Sequence, residues 1–403
     1  MAAARRESTR VAIVGGGPAG LMLSHLLARD GIACVVIERR TRAEIHGTVR
    51  AGILEAGSVR MLVDSGVSRR VLDQGDRHDG IELRFDGERH RIDFQGLVGE
   101  SVWLYQQTDV FADLADARER DGGDVRFSVR DVSVSGVTDA HPQVVFTEAD
   151  GSIVELSCDI VVGADGSHSA CRTLIPDAER RSYFREYPFA WFGILTDAPR
   201  SADELVYAAS ERGFALISQR SDTVQRMYFQ CDPAEDPALW SDDRIWDELQ
   251  SRVAGNGFSL TEGLITDRVV LPFRSFVCAP LRHGSLFLVG DAGHTVPPTG
   301  AKGLNLAFAD VAVLHEALVD LLTGGCASGV DGYSDRALTR VWKSQHFSYW
   351  MTTLLHDQPG ASDFDRRRQR GELESIVSSR AGSAFLAEGY TGWQHAPAAQ
   401  PVR

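Results

Sequence analysis

Two glycine-rich segments contain candidate binding residues, and the first lies near the N-terminus. Gly15, Gly17 and Gly20 follow the apolar run 10–14 and open a helical pattern, and Glu38 ends the next apolar run. In such a pattern the first glycine permits a tight turn, the second lets a pyrophosphate approach the backbone, and the third allows close packing of helix on strand. Free N–H groups at the helix start favour phosphate, and Glu38 can accept hydrogen bonds from a ribose. The sequence therefore predicts a dinucleotide site in a βαβ unit.

The second segment, residues 289–305, combines an acid, a rigid loop and the start of a helix. Asp291 ends a short apolar run, and the consecutive Pro297 and Pro298 stiffen the loop and remove two backbone donors. The long apolar pattern 303–322 predicts a helix whose N-terminus carries partial positive charge. We expect this segment to hold a redox cofactor on one side and a small polar substrate on the other.

Composition indicates an acidic globular enzyme. The 403 residues include 42 basic and 56 acidic side chains, a net charge of −14, and 43% of all residues are hydrophobic. This charge argues against nucleic acid or an anionic membrane as a partner. The six cysteines form no Cys-x-x-Cys pair and the histidines have no metal-ligand spacing, so we expect buried thiols in a reducing cytoplasm and no metal site. No apolar run is long enough for a membrane span, and we expect none.

The remaining pattern predicts a second sheet and several helices. Residues 80–97 alternate in polarity around a hairpin turn at Asp86-Gly87, and most of 189–274 reads as further strands. Periodicity predicts helices over 50–73, 106–120, 241–253, 303–322 and much of 333–380. We expect the strands to form an antiparallel sheet inserted into a nucleotide-binding fold.

Three motifs together give the chain a family resemblance. The glycine turn 15–20, the Asp165-Gly166 pair after a buried strand and the Gly290-Asp291 pair after another are the pattern of the single-component FAD-dependent aromatic hydroxylases. Over nearly the whole chain the sequence resembles, in particular, those members that act on 4-hydroxybenzoate. The segments that carry this resemblance are RAGILEAG (50–57), YPFAWFGIL (187–195), RGFALISQR (212–220), LPFRSF (271–276), PPTGAKGLNLA (297–307) and EGYTG (388–392).

The resemblance implies a mixed α/β fold with α+β parts. It comprises a Rossmann-like FAD-binding domain of the glutathione-reductase type, an inserted antiparallel-sheet substrate domain and a C-terminal helical region. The expected boundaries are 1–79, 98–186 and 275–325 for the discontinuous FAD-binding domain, 80–97 and 187–274 for the substrate domain, 326–394 for the helical region and 395–403 for the tail. A homodimer is also implied.

The resemblance assigns two redox cofactors to a single glycine motif. FAD is expected to contact Gly15, Gly17, Gly20, Glu38, Arg50, Gln107, Asp291, Thr299 and Asn305. NADH or NADPH is expected to bind transiently at the surface, where His168 and Arg274 match positions that hold its phosphates, and Arg39 is a further expected cofactor contact.

The segment after Glu38 bears on the choice between the two nicotinamide nucleotides. Members of the family that prefer NADPH tend to have an aromatic residue near the position of Glu44 and an arginine at the position of Thr48, and this chain has neither. Because an acidic side chain repels a 2′-phosphate, we expect NADH to be used at least as well as NADPH. Three arginines, 39, 40 and 42, favour the opposite outcome.

Ser218, Arg220 and Tyr228 have the spacing of residues that share one side of a strand pair. Arg220 could bind a carboxylate through two parallel N–H···O bonds, with Ser218 and Tyr228 as further donors. On the residues alone, a surface arginine beside a cross-strand aromatic is the more frequent interpretation. The resemblance favours carboxylate binding.

A phenol-binding group is implied by the resemblance alone. Tyr207 would hydrogen-bond the hydroxyl of a phenolic substrate, and Tyr390 and His78 would pass its proton to solvent. The carbonyl oxygen of Pro298 would contact the same hydroxyl. A phenolate attacks a flavin C4a-hydroperoxide better than a phenol does, and a hydrogen bond to the phenolate lowers the phenol's pKa from its usual value of ~10. The implied reaction converts 4-hydroxybenzoate to 3,4-dihydroxybenzoate with NAD(P)H and O2.

Three alternatives stay open. Another small phenolic acid, an aminobenzoate or a dihydroxybenzoate, is compatible with the expected pocket lining, which comprises Ile53, Trp191, Leu205 and Leu216. Flavin-dependent halogenation is disfavoured because the chain has no Trp-x-Trp-x-Ile-Pro segment. A flavin-binding protein without activity would have no reason to place Arg220, Tyr207 and Tyr390 in one pocket.

Overall fold

The computed structural model describes residues 4–47 and 52–393. Its strands are β1 (Arg5–Ser8), β2 (Val11–Val14), β3 (Cys34–Ile37), β4 (Ile53–Glu55), β5 (Asp76–His78), β6 (Gly80–Phe85), β7 (Glu88–Asp93), β8 (Val102–Leu104), β9 (Asp124–Arg126), β10 (Arg130–Ser135), β11 (Gln143–Thr147), β12 (Ile153–Ser157), β13 (Ile160–Gly163), β14 (Arg181–Asp197), β15 (Val206–Ser210), β16 (Gly213–Gln219), β17 (Val224–Cys231), β18 (Leu264–Ala279), β19 (Arg282–His283), β20 (Leu286–Leu288) and β21 (His294–Thr295).

The helices alternate with these strands in the first half of the chain and dominate its last quarter. They are α1 (Pro18–Arg29), α2 (Arg42–His46), α3 (Ala56–Asp64), α4 (Arg70–Asp73), α5 (Phe94–Val98), α6 (Gln107–Arg120), α7 (Asp242–Val253), α8 (Gly303–Gly324), α9 (Ser328–Asp331), α10 (Tyr333–Leu355), α11 (Asp363–Ser378) and α12 (Arg380–Thr391).

A six-stranded sheet, in the order β19-β20-β13-β2-β3-β9, forms the nucleotide-binding part. β20, β13, β2, β3 and β9 run parallel, and the edge strand β19 is antiparallel to β20. β2, β3 and β13 are buried along their whole length, as expected for parallel strands covered on both faces. Apolar residues of α1, α6 and α8 complete this core. The predicted βαβ unit is confirmed as β2, α1 and β3.

An eight-stranded sheet, in the order β21-β18-β14-β17-β16-β15-β6-β7, forms the second part. All its neighbours are antiparallel except β6 and β15. Because side chains alternate along a strand, Tyr207 and Leu216 face a core shared with α10, α11 and α12, whereas Val206 and Ile217 face a core shared with α7. The predicted mixed α/β fold class, with an inserted and mainly antiparallel sheet, is confirmed.

The prediction of a continuous helix over 50–73 is wrong. Within its described part, residues 53–55 form β4 in a small sheet of order β4-β8-β5, and only then do α3 and α4 follow. β4 pairs with β8, almost fifty residues further along the chain. Tertiary pairing overrides the helical pattern here.

Two long strands cross the predicted domain boundaries. β14 starts at Arg181 and β18 ends at Ala279, and residues 181–186 pair with 274–279. The eight-stranded sheet therefore extends beyond the limits 187 and 274, into segments assigned to the FAD-binding domain. A division of the chain into domains at these positions stays a prediction.

Candidate active site

One large cavity lies where the two main sheets meet, and most of the predicted site residues line it. Its volume is about 1140 Å³, above the range of about 300–1,000 Å³ typical of a pocket for one small ligand. The cavity therefore has room for a cofactor and a small ring together. The predicted residues in its lining are Gly15, Gly17, Glu38, Arg39, Gln107, His168, Tyr207, Ser218, Arg220, Tyr228, Asp291 and Pro298.

Several predicted residues lie elsewhere. Those outside the lining are Gly20, His78, Arg274, Thr299, Asn305 and Tyr390. Arg50 and Thr48 lie outside the described residues.

The turn between β2 and α1 forms the nucleotide end of the cavity. Gly15 has a φ of +115°, and a Cβ there would lie 2.2 Å from the carbonyl oxygen of Ala164. A Cβ on Gly20 would lie 2.0 Å from the carbonyl oxygen of Gly15. Around Gly17, by contrast, a Cβ would meet no described atom within 4 Å. The first and third glycines are needed for the protein's own packing, and the second leaves space for a pyrophosphate.

Glu38 follows β3 directly and lies at the same end of the cavity. One of its carboxylate oxygens accepts the N–H of Gly16 at 2.8 Å, and the other accepts the N–H of Arg40 at 2.9 Å. A carboxylate oxygen has more than one lone pair, so both can also accept hydrogen bonds from ribose hydroxyls. The glycine turn, this acid and the start of α1 therefore fit the adenosine diphosphate half of FAD.

Asp291 lies in the 3-10 turn Gly290–Ala292, which follows β20. The buried Asp310 of α8 fixes this turn, since its carboxylate accepts the N–H of Gly290 at 2.9 Å and lies 2.6 Å from a ring nitrogen of His294. Burial alone would lower the pKa of His294, but the adjacent Asp310 carboxylate raises it. The pair holds Asp291 at the cavity wall beside the start of α8.

The Asp165-Gly166 motif lies beside this turn. The carboxylate of Asp165 accepts two backbone N–H groups of the following 3-10 turn, at 2.8 and 3.0 Å, which fixes the loop that carries His168. Arg172 connects the two motifs, because its guanidinium donates to the carbonyl of Ser167 at 2.9 Å and to that of Ala292 at 2.8 Å. The loops after β13 and β20 therefore form one rigid rim of the cavity.

The other end of the cavity is a pocket on β15, β16 and β17. Ser218 pairs with Arg226, and Leu216 pairs with Tyr228, across β16 and β17. Arg220 follows β16 directly. Ser218, Arg220 and Tyr228 line the pocket together, on the common side of the strand pair that their spacing predicted.

Arg220 is a largely buried cation of this pocket. Burial, together with the nearby Arg226, lowers the pKa of Arg220 to about 10. The guanidinium is therefore still charged at neutral pH, in a setting where a carboxylate would favour the charged form. Burial raises the pKa of Tyr228, so its hydroxyl stays a neutral donor.

Sequence reasoning missed a second arginine in the same pocket. Arg226 is only 6% exposed, lines the cavity, and its Nη1 has no hydrogen-bond partner among the described residues. Its backbone carbonyl accepts the hydroxyl of Ser218 at 2.8 Å. The signal was its period-two spacing from Tyr228, which places both side chains on one face.

Lys302 was also missed, although it lies directly before α8. Its side chain is 1% exposed, and Nζ donates to Glu55 at 2.7 Å and to the carbonyl of Tyr390 at 2.9 Å. Burial lowers the pKa of Lys302, and the Glu55 carboxylate opposes this shift. The available signal was a lone lysine within the apolar segment 296–308.

Two buried tyrosines meet beside Pro298. The hydroxyls of Tyr207, on β15, and Tyr390, on α12, are 2.6 Å apart. Tyr207 can donate to the carbonyl of Thr299 at 3.4 Å, which leaves it free to accept from Tyr390. Burial raises the pKa of both tyrosines well above the usual value. Both hydroxyls therefore stay protonated and can donate.

His78 is buried on β5, and its hydrogen bonds lead toward the surface. Its Nδ1 accepts the N–H of Leu205 at 3.3 Å, and its Nε2 lies 3.2 Å from the partly exposed Asp76. The hydrogen bond with His78 lowers the pKa of Asp76. Among the described hydrogen bonds, none joins Tyr390 directly to His78. The structure thus shows both ends of the expected relay and no direct bond between them.

Three predicted cofactor contacts lie in other settings. The side-chain amide of Asn305 is used within the protein. Its Oδ1 accepts the backbone N–H of Glu55 at 2.9 Å, and its Nδ2 donates to the backbone carbonyl of Ile53 at 2.9 Å. The hydroxyl of Thr299 accepts from Thr352 at 2.9 Å. Arg274 is exposed on β18, outside the cavity. Asn305 and Thr299 thus connect parts of the cavity wall.

A cavity that fits a dinucleotide at one end and presents buried arginines and tyrosines at the other defines the class of flavin-dependent aromatic hydroxylases. Comparison with known proteins identifies the family. The model of the FAD binding domain family matches residues 8–348. The p-hydroxybenzoate hydroxylase of Acinetobacter baylyi is 44% identical over 386 residues, which cover 95% of each chain. The chain therefore belongs to the family of FAD-dependent aromatic hydroxylases, with FAD as cofactor and NAD(P)H as co-substrate.

More distant relatives agree with this fold. The 3-amino-4-hydroxybenzoate 2-monooxygenase of Streptomyces cremeus is 28% identical over 385 residues, 89% of this chain and 91% of the relative. The crystal structure of p-nitrophenol 4-monooxygenase from Pseudomonas putida aligns over 96% of this chain and 100% of its own chain. The TM-score is 0.81 and the sequence identity is 18%. The predicted family, FAD and enzymatic character are confirmed, and the alternative of a flavin-binding protein without activity is wrong.

Within residues 4–47 and 52–393, no group of three or more His, Cys, Asp or Glu side chains could hold a metal ion. Across the same ranges, no helix combines the length and the apolar character that a membrane crossing needs.

Proposed function

We propose that the enzyme hydroxylates 4-hydroxybenzoate at C3. The overall reaction is 4-hydroxybenzoate, NAD(P)H, a proton and O2 giving 3,4-dihydroxybenzoate, NAD(P)+ and water. The observation that carries the proposal is the polarity of the pocket, with Arg220 at one end and the Tyr207–Tyr390 pair at the other. A benzoate with a hydroxyl para to its carboxylate matches this two-ended arrangement. The name of the 44% identical relative supports the same substrate.

Arg220 is proposed to bind the substrate carboxylate, with Ser218 and Tyr228 as further donors. Hydrogen bonds to a charged group contribute about 1.5–3 kcal/mol, and the partial burial of this guanidinium disfavours water as a competitor. Arg226 lies close enough to lower the pKa of Arg220, so a carboxylate between them would offset the repulsion of the two cations.

Tyr207 is proposed to activate the phenol. Its hydroxyl is neutral and lies 2.6 Å from that of Tyr390, so Tyr207 can accept the substrate proton as it passes its own proton to Tyr390, which releases its proton in turn. A phenolate oxygen then receives the Tyr207 hydrogen bond, which lowers the phenol's pKa. The carbonyl of Pro298 would face the same oxygen, and His78 with Asp76 would take the proton to the surface. Bound FAD, once reduced by NAD(P)H, supplies the activated oxygen.

The proposed FAD contacts are the turn 15–20, Glu38, Gln107, Asp291 and the start of α8. The lining of the cavity supports all of them except Gly20, which acts through its packing on Gly15. For Thr299 and Asn305 we propose contact through backbone atoms, because their side chains are used within the protein. His168, Arg39 and Arg274 are proposed to meet the nicotinamide nucleotide, and Arg50 lies outside the described residues.

For the nicotinamide nucleotide we propose that NADH is used at least as well as NADPH. Two of the three arginines that would favour NADPH have acidic partners. Arg42 pairs with Asp116 and Glu119 of α6, and Arg40 contacts Glu38 at 3.2 Å. Glu44 adds negative charge as the N3 residue of the α2 capping box. A kcat/KM for NADPH that is a hundred times that for NADH would contradict this proposal.

We also propose a homodimer in a reducing cytoplasm. An exposed aromatic surface lies on β14 and α10, where Tyr183 and Trp342 make an edge-to-face contact with centroids 5.1 Å apart and Phe184 is 57% exposed. Such a surface favours association. Sedimentation of Trp342→Glu should show a monomer, whereas Leu239→Glu, at another exposed apolar position, should not. The six cysteines, none in a disulfide, support a reducing compartment.

The proposed substrate is tested with a panel of aromatic acids. NADH oxidation is measured with 4-hydroxybenzoate, 3-amino-4-hydroxybenzoate and 2,4-dihydroxybenzoate, and each product is identified by mass. Benzoate lacks the hydroxyl and phenol lacks the carboxylate, so each probes one end of the pocket. We expect efficient product formation from 4-hydroxybenzoate and none from benzoate. A higher kcat/KM for the amino- or dihydroxybenzoate would contradict the proposal and favour the alternative substrate class.

A further inference from the structure

A fully buried histidine holds the tryptophan that forms one wall of the aromatic pocket. Trp191, on β14, lines the cavity, with its ring 4.9 Å from that of Tyr228. Its indole Nε1 donates to Nε2 of His356 at 2.7 Å, and both residues are buried. His356 has no place in the proposed transfer of oxygen or protons.

The hydrogen bonds of His356 leave it only one tautomer. An indole N–H is a donor only, so Nε2 must accept. Nδ1 then carries the hydrogen and donates to the carbonyl of Thr352 at 2.9 Å. The imidazole is stacked between Phe189, at 4.6 Å, and Phe214, at 4.3 Å. If the imidazole were protonated, its Nε2–H would point at the indole N–H of Trp191. The two stacked phenylalanines leave the ring no room to turn away.

The backbone of His356 is fixed from two sides. Gln369 of α11 donates to its carbonyl at 3.0 Å, and Gln230 of β17 makes two hydrogen bonds with the backbone of Asp357, at 2.6 and 3.0 Å. The position of the imidazole is therefore set by the end of α10 and by the strand that carries Tyr228.

The same helix end also reaches the phenol side of the pocket. Thr352 bonds to the hydroxyl of Thr299 at 2.9 Å, and the carbonyl of Thr299 faces Tyr207 at 3.4 Å. One turn of α10 thus contacts both the loop beside Tyr207 and, through His356, the Trp191 wall. The spacing between the two walls depends on this turn.

We propose that His356 is a positioning residue for the aromatic substrate. His356 accepts the indole N–H and so keeps the only polar side-chain atom of Trp191 turned away from the pocket. The ring of the substrate then meets an apolar wall. The polar groups proposed to meet the substrate then lie at its two ends, at Arg220 and at Tyr207. A benzoate can bind in one orientation, with the carbon ortho to its hydroxyl held in place. This inference rests on the proposed function.

The loss of the acceptor should be measurable. In His356→Leu the indole N–H is left without its partner and turns toward the pocket or binds water. We expect the Kd for 4-hydroxybenzoate, from titration of the FAD-loaded enzyme, to rise about tenfold, which corresponds to about 1.4 kcal/mol. The product formed per NADH oxidised should fall by about half. FAD content and the kcat for NADH oxidation should change little.

Two further variants separate positioning from a general structural role. His356→Gln keeps an acceptor near the place of Nε2 and should restore the Kd to within about threefold of the unmodified enzyme. Trp191→Phe removes the donor instead, so adding His356→Leu to it should cause almost no further loss, as expected for two residues that act through one contact. His346→Leu, at an exposed histidine on the same helix, is the matched control and should change neither quantity.

Opposite results would overturn the inference. One such result is that His356→Leu changes neither the Kd nor the product formed per NADH oxidised. Another is that the Kd rises equally in His356→Gln and His356→Leu. If His356→Leu does not fold, Trp191→Phe and His356→Gln still give the comparison. Should the unmodified enzyme make no product from 4-hydroxybenzoate, the proposed substrate has failed, and the same variants are then measured with the aromatic acid that it does hydroxylate.

Discussion

The two ends of the cavity are built in different ways. The nucleotide end is built largely from backbone, where Gly15 packs against the Ala164 carbonyl after β13 and Gly20 packs against the Gly15 carbonyl. The aromatic end consists of side chains from distant elements, such as Tyr207 on β15 and Tyr390 on α12, 183 residues apart. A site built from backbone loses its ligand when an added side-chain atom does not fit. In a site built from side chains, each substitution removes the contribution of one group. Substitutions at the two ends should therefore differ in kind and in size.

Gly15→Ala should abolish FAD retention. The added Cβ would lie 2.2 Å from the Ala164 carbonyl at a φ of +115°, and overpacking alone costs about 1–3 kcal/mol. FAD content is measured from flavin absorbance of the purified protein. Gly31→Ala is the matched control, with a φ of +71° but open space around the Cβ. Full FAD occupancy in Gly15→Ala would contradict the packing argument.

Tyr207→Phe should lower product formation by about a hundredfold, the lower end of the usual loss when a proton-transfer group is removed. NADH oxidation should continue, because Arg220 still binds the carboxylate, and oxygen should be released as hydrogen peroxide. Product and peroxide are measured in the same assay. Tyr333→Phe is the control. It removes another buried hydroxyl, 2.7 Å from the Leu288 carbonyl, and should leave the ratio of product to hydrogen peroxide unchanged. Retained coupling in Tyr207→Phe would refute the phenolate role.

Arg220→Lys should raise the Kd for 4-hydroxybenzoate about tenfold or more, since a lysine cannot make the two parallel hydrogen bonds. The titration is made with the FAD-loaded enzyme. The control is Arg212→Lys, at the opposite end of β16, where an exposed arginine pairs with Glu248 of α7. Equal Kd values for the two variants would show that Arg220 is not the anchor.

His356 should make the stability of the fold depend on pH below neutrality. Burial lowers the pKa of His356 from its ordinary 6.5 to about 3, and Arg252 acts in the same direction. Between these values the unfolded chain binds a proton that the folded chain does not, so stability falls as pH falls, by up to about 1.4 kcal/mol per unit. His356→Gln should flatten the urea-unfolding profile between pH 6.5 and 4.5. An unchanged slope would show that the histidine is not buried and neutral.

The two ends of the cavity also differ in how far the sequence could predict them. Gly15, Gly17, Gly20 and Glu38 follow local rules for turns and helix starts, so the βαβ unit and its dinucleotide site could be predicted from contiguous residues. Ser218, Arg220 and Tyr228 could be placed on one side of a strand pair by strand periodicity, whereas Tyr207 could be assigned only through the family resemblance. The eight-stranded sheet could be predicted in outline, although β14 and β18 extend past the expected limits.

The rest depends on packing between distant segments. Burial makes Arg226 and Lys302 part of the site, and that burial comes from strands and helices that no local pattern connects. The pairing of β4 with β8 turned a predicted helix into a strand for the same reason. His356 has the same origin, since its role depends on a tryptophan 165 residues away.

One pocket is proposed to bind the substrate carboxylate at Arg220 and the substrate hydroxyl at Tyr207. The most direct test is the position of the oxygen introduced into 4-hydroxybenzoate, measured by NMR of the product formed under ¹⁸O2. We expect a single product, 3,4-dihydroxybenzoate, labelled at C3. A product labelled ortho to the carboxylate, or a mixture of both, would contradict it.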